Sequence, residues 1–66
     1  MKKERRIIVE GFNCTVINFG YATFIYPDFN GNAEFKASRQ GFKKLKSYLR
    51  TILYFRRISQ HEHKRL

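Results

Sequence analysis

The chain has 66 residues and a mass of 8.0 kDa, which is room for one small domain and too little for a large catalytic fold. Fourteen Lys+Arg against five Asp+Glu give a formal net charge of +9, yet 42% hydrophobic and 17% aromatic residues exclude a disordered basic tail. Cys14 is the single cysteine, which rules out an internal disulfide framework and a four-cysteine zinc site and points to a reducing, cytoplasmic setting.

The cations are unevenly spread. Lys2, Lys3, Arg5 and Arg6 open the chain, residues 7–33 hold none, and ten more follow from Lys36 onward. Residues 1–6 therefore read as a basic N-terminal arm, 7–60 as a single compact domain of sheet plus helix, and 61–66 as a flexible basic tail. The apolar run Ile7-Ile8-Val9 breaks off at Glu10 and Gly11, too early for a secretion signal.

Ile7 to Glu10 predicts a first strand, Gly11 and Asn13 a reversal, and Cys14 to Asn18 a second strand. Tyr21 to Tyr26 predicts a third strand after a turn at Gly20. Pro27 to Asn32 is the strongest turn signal, and Ala33 to Lys36 predicts a short fourth strand. Ser38 then offers a helix N-cap, and Gly41 weakens the turn that follows. Phe42, Leu45, Leu49, Ile52 and Leu53 recur at helical spacing on one face, and Arg56 interrupts that face further along. The expected fold class is α+β, a small antiparallel sheet of three or four strands packed on one long C-terminal α-helix. About twenty helical residues span roughly 30 Å against roughly 20 Å for a six-residue strand. The helix should therefore overhang its sheet and leave Tyr54, Phe55 and Ile58 for contact with a protein partner, a homodimer seam being the first candidate. Lys46 and Arg50 interrupt the only long apolar segment, so no membrane span is expected.

The five acids share no spacing that would set paired carboxylates across a substrate, which argues against an enzyme. Cys14 lies mid-strand, far in sequence from His61 and His63, and reads as a small buried hydrophobe. His61-Glu62-His63 has no third histidine or cysteine beside it, so neither a metal nor a cofactor is expected. What remains is charge. On a helical wheel Lys43, Lys46, Arg50 and Arg57 form a stripe beside the apolar face while Lys44 points elsewhere. Arg5 and Arg6 join that stripe if the arm lies nearby, and few acids are present to neutralise it.

The expected function is non-enzymatic binding of nucleic acid, DNA or RNA, through phosphate contacts from Lys43, Lys46, Arg50, Arg57, Arg5 and Arg6. With about five phosphates neutralised, log affinity should fall with log salt at a slope of about −4 to −5 on duplex DNA. The alternative is a small protein-interaction or inhibitor module, of the kind phages and mobile elements encode, acting through Tyr54, Phe55 and Ile58. A membrane-surface helix is a third reading; the need for Phe42, Leu45, Leu49 and Ile52 to cover the sheet opposes it.

Two likenesses bear on where a nucleic acid would lie. The stretch Gly20-Tyr21-Ala22-Thr23-Phe24-Ile25-Tyr26 resembles the aromatic strand of RNA-recognition motifs, through its Gly-Tyr-Ala start and terminal Tyr. A single helix leaves that two-helix fold incomplete, and the stretch reads as a core-facing strand. The order of sheet then helix resembles, in layout, the DNA-binding modules of plant AP2 factors and phage integrase arm domains. Those modules carry basic side chains on their strands. Residues 7–33 have none, so contact falls to the helix edge and the arm.

Overall fold

The computed structural model describes residues 2–64, with side chains as far as Ser59. Strands β1 (Lys3–Val9), β2 (Phe12–Asn18), β3 (Thr23–Pro27) and β4 (Phe35–Lys36) precede one helix, α1 (Arg39–Lys64). The strands lie in chain order in one antiparallel sheet, which is the α+β architecture that the periodicities predict.

The first hairpin fixes the rest. Glu10 (φ 51°) and Gly11 (φ 83°) are both left-handed, the conformation of a two-residue turn whose twist matches its strands. That turn sets Val9 opposite Phe12, Ile7 opposite Cys14 and Arg5 opposite Val16. The register continues with Val16 opposite Ile25 and Ile25 opposite Phe35. Because side chains alternate between faces, one face gathers Ile7, Val9, Phe12, Cys14, Val16 and Ile25. Leu45 and Leu49 of α1 close over that face, and Phe42, Ile52 and Leu53 pack around it. Leu45, Leu49 and Cys14 are wholly buried.

Several boundaries differ from the expectation: Glu10 lies in the turn and not in β1, Pro27 closes β3 opposite Cys14 and does not open the turn, and β4 begins at Phe35 and not at Ala33. Residues 3–6, read as a free arm, are the first half of β1 and pair with Asn18 to Thr15. An edge strand can carry long cations, since their heads stay in water while the backbone pairs, and such charges also discourage a foreign strand from docking. Phe12 and Asn13 belong to β2 rather than to the reversal, because Glu10 shares the turn with Gly11. Tyr21 and Ala22 stay in the β2–β3 turn, where the Phe19 N–H donates to the Ala22 carbonyl (2.9 Å) and the Gly20 N–H to Asn18 Oδ1 (2.8 Å). Within the stretch read as core-facing, Ile25 faces the core, while Phe24 and Tyr26 alternate with it and face the open side of the sheet.

The helix begins where expected. Ser38 Oγ accepts from the Gly41 N–H (3.1 Å) and the Ser38 carbonyl from the Phe42 N–H (2.8 Å), an N-cap in geometry. Gly41 is buried, and a Cβ there would lie 1.9 Å from the Lys36 carbonyl oxygen. The residue that is poor for helix propensity is thus the one that lets the first turn lie against β4. Twenty-six residues make α1 about 39 Å long, against about 23 Å for a seven-residue strand. The molecule measures 52 × 19 × 17 Å, so the helix does run past the sheet. Arg56, on the apolar side, lays its guanidinium over the Phe12 ring with Cζ 5.2 Å from the centroid, a cation–π contact that tolerates a charge at that position. The expected tail, 61–66, is helical as far as Lys64, and its last two positions lie outside the described residues.

Candidate nucleic-acid interface

Two elements supply the cations. Along β1, Arg5 and Lys3 share the face of Ile7 and Val9 and so point to the side that α1 covers. Along α1, Arg39, Lys43, Lys46 and Arg50 follow one another at intervals of four, three and four, which keeps them on one edge. The two sets meet because the first turns of α1 lie by Arg5, while Arg50, further on, reaches Glu10 in the turn after β1.

Between them is an open groove of about 590 Å³. Its rim carries Arg5, Arg39, Lys43 and Lys46, and its floor is Ile7, Val16, Ile25 and Phe42. Among the described residues no carboxylate lines it. A second, smaller hollow of about 460 Å³ lies on the outer edge of the helix, with Lys43, Lys46 and Arg50 around it. Lys43 and Lys46 therefore stand between two concavities. Lys46 Nζ lies 5.0 Å from the Phe42 ring centroid, which holds the ammonium beside the groove. The positive end of the helix dipole, at the Ser38 cap, adds to the same field.

The structure brings Arg5, Lys43 and Lys46 together at the groove, keeps Arg50 beside Lys43 and Lys46 at the outer hollow, and sets Arg57 and Arg6 apart. Arg50 Nη2 lies 3.1 Å from Glu10 Oε1, with the Arg50 side chain 67% exposed. An ion pair so open to water is worth less than about 1 kcal/mol, and a phosphate can replace the carboxylate. Arg57 keeps to the same edge but sits about 10 Å beyond Arg50 along the axis. Arg6 alternates with Arg5 and faces the open side of the sheet. Arg39 is the cation the expected set lacks. Its signal was its place four residues before Lys43, hidden because it adjoins the cap rather than the apolar repeat.

On the open side of the sheet each carboxylate has a partner of its own. The Thr15 hydroxyl donates to Asp28 Oδ1 (2.7 Å), the Tyr26 hydroxyl to Glu34 Oε2 (2.5 Å), and Lys2 Nζ lies 3.5 Å from Glu4 Oε1. The Glu34 carboxylate, first of all by accepting that hydrogen bond, pushes the Tyr26 hydroxyl up to about 12.

Cys14 is sealed in the core, and burial, followed by the charge of Asp28, raises its thiol above the ordinary value. It remains protonated and unreactive. The side chains of His61 and His63 lie outside the described residues.

Tyr54, Phe55 and Ile58 are 62%, 61% and 37% exposed. Five, six and nine residues beyond Leu49, they fall on the side of α1 turned away from the sheet rather than along its core face. No helix among the described residues is long and apolar enough to cross a membrane. No protein-family model, curated protein or solved structure matches the chain.

Proposed function

We propose that this protein is a nucleic-acid-binding module without catalytic activity, holding phosphates at the junction of β1 and α1. The observation that carries the reading is the groove rim, where Arg5 from the strand and Arg39, Lys43 and Lys46 from the helix converge with no carboxylate beside them among the described residues. Lysines act there as point charges, and Arg5 and Arg39 can grip a phosphate with two parallel N–H donors. Arg50 and Arg57 extend the track along the helix. Such contacts position a backbone and carry little sequence information.

Four neutralised phosphates correspond to a salt slope of about −3.6 on duplex DNA and about −2.8 on a single strand. Fluorescence anisotropy of a labelled oligonucleotide, titrated at several salt concentrations, measures this. A flat salt response rejects the electrostatic mechanism.

The exposed Tyr54, Phe55 and Ile58 support a second reading, in which the back of the helix meets a protein partner or a second copy of the chain. Light scattering over a range of concentrations tests the second copy, and a mass that stays at one chain removes it.

A further inference from the structure

We propose that the groove between β1 and the start of α1 receives an unpaired nucleobase, so that the nucleic acid recognised is single-stranded. The inference rests on the phosphate-binding reading and goes further by assigning the groove floor. That floor is apolar, with the half-buried Ile7 and Phe42 uppermost and Val16 and Ile25 beneath. Four cations line the same groove.

A ligand that satisfies both features joins an apolar face to anions on either side. A duplex keeps its base faces stacked inward and offers only phosphates, sugars and base edges, so the floor would remain wet. A single strand can turn a base onto Ile7 and, as the Lys46 ammonium leaves the Phe42 ring for a phosphate, onto Phe42, while its flanking phosphates meet Arg5, Arg39, Lys43 and Lys46. Thr23 and Ser38 also line the groove, and their hydroxyls give a base edge polar contacts that do not depend on one sequence. At about 590 Å³ the groove has the size of a small-ligand pocket. A stable protein interface needs roughly twenty residues on each side, which favours a nucleotide over an acidic peptide with an apolar anchor.

The test compares three probes of equal length by anisotropy: a twelve-residue oligothymidylate, the same strand with abasic sugars, and a twelve-pair duplex. The oligothymidylate should bind at least about fivefold tighter than the abasic strand, with the same salt slope, and tighter than the duplex. Ala37→Trp, from an exposed position on the groove, should fill it and bring the two single strands to equal affinity, with the circular dichroism spectrum unchanged. Equal affinities for the two strands on the unaltered protein, or preference for the duplex, would overturn base insertion and leave phosphate binding standing. Failure of all three probes to bind at low salt would overturn both. If a peptide of alternating Asp and Phe is bound in their place, and Ala37→Trp abolishes that binding, the groove belongs to a protein partner and base insertion is rejected.

Discussion

The two sides of the sheet differ in how their charge is used. On the open side each acid has found a partner within the fold: Glu4 has Lys2, Asp28 has Thr15, and Glu34 has Tyr26. On the helix side Arg5, Arg39, Lys43 and Lys46 surround a groove, and the only carboxylate nearby among the described residues is Glu10, which meets Arg50 instead. A net charge of +9 is therefore not a uniform coat. Alternation along β1 sends Arg5 to one side and Arg6 to the other, and along the helix Arg39, Lys43, Lys46, Arg50 and Arg57 share one edge while Lys44 and Arg56 lie off it.

The substitution with the largest expected effect tests the joint that keeps the edge in place. Gly41→Ala in an ordinary helix would stabilise by about 1 kcal/mol. Here the added Cβ would lie 1.9 Å from a backbone oxygen of β4, so the sign should invert, with a loss of more than about 2 kcal/mol. Thermal melting followed by circular dichroism measures it, and a raised melting temperature would contradict the close approach of α1 to β4.

Next in size is the pair of double variants that sets one side of the sheet against the other. Lys43→Glu with Lys46→Glu should abolish oligonucleotide binding and leave the fold intact, because Lys43 is exposed and Lys46 only partly covered. Arg6→Glu with Lys36→Glu changes the net charge by the same amount on the open side and should weaken binding by less than about threefold, through long-range field alone. Equal losses from the two pairs would mean that total charge, not its placement, drives association.

A smaller effect is expected at Glu10. Glu10→Gln releases Arg50 from its ion pair and should strengthen binding about twofold, with a stability cost below about 1 kcal/mol. Weaker binding in that variant would show that the pair positions Arg50 for its ligand.

The smallest effect is spectroscopic and concerns the open side alone. With its hydroxyl pushed up to about 12, Tyr26 should be the late step in an alkaline absorbance titration of the tyrosines. Its value in the folded state lies above the ordinary one near 10, so the stabilisation is complete below pH 10 and is lost as pH climbs toward 12. Glu34→Gln should bring that step back toward 10. A titration of the unaltered protein without a late step would remove the Tyr26–Glu34 contact.

Much of this molecule could be read from residue order, because the signals were local. The β-rich middle, the Ser38 cap, the apolar repeat from Phe42 to Leu53 and the cationic stripe beside it each depend on neighbours within a few positions. The span of the helix beyond its sheet followed from rise per residue. Lys43 and Lys46 were legible for the same reason.

The rest required the third dimension. Whether the hairpin turn is Glu10-Gly11 or reaches on to Asn13 decides the register, and a slip of one residue sends every side chain of a strand to the opposite face. Only the folded pairing could separate Arg5 from Arg6, extend β1 through the supposed arm, and turn Phe24 and Tyr26 away from the core. The meeting of Arg50 with Glu10 spans 40 positions of chain, and that of Arg56 with the Phe12 ring a similar distance, beyond the reach of any local period. Gly41 makes the same point from the other direction, since its propensity argues against a helix while the approach of the Lys36 carbonyl makes it the residue that fits. The groove is likewise a product of tertiary structure, because its two walls, Arg5 with Ile7 on β1 and Arg39 to Lys46 on α1, are separated in sequence by the rest of the sheet.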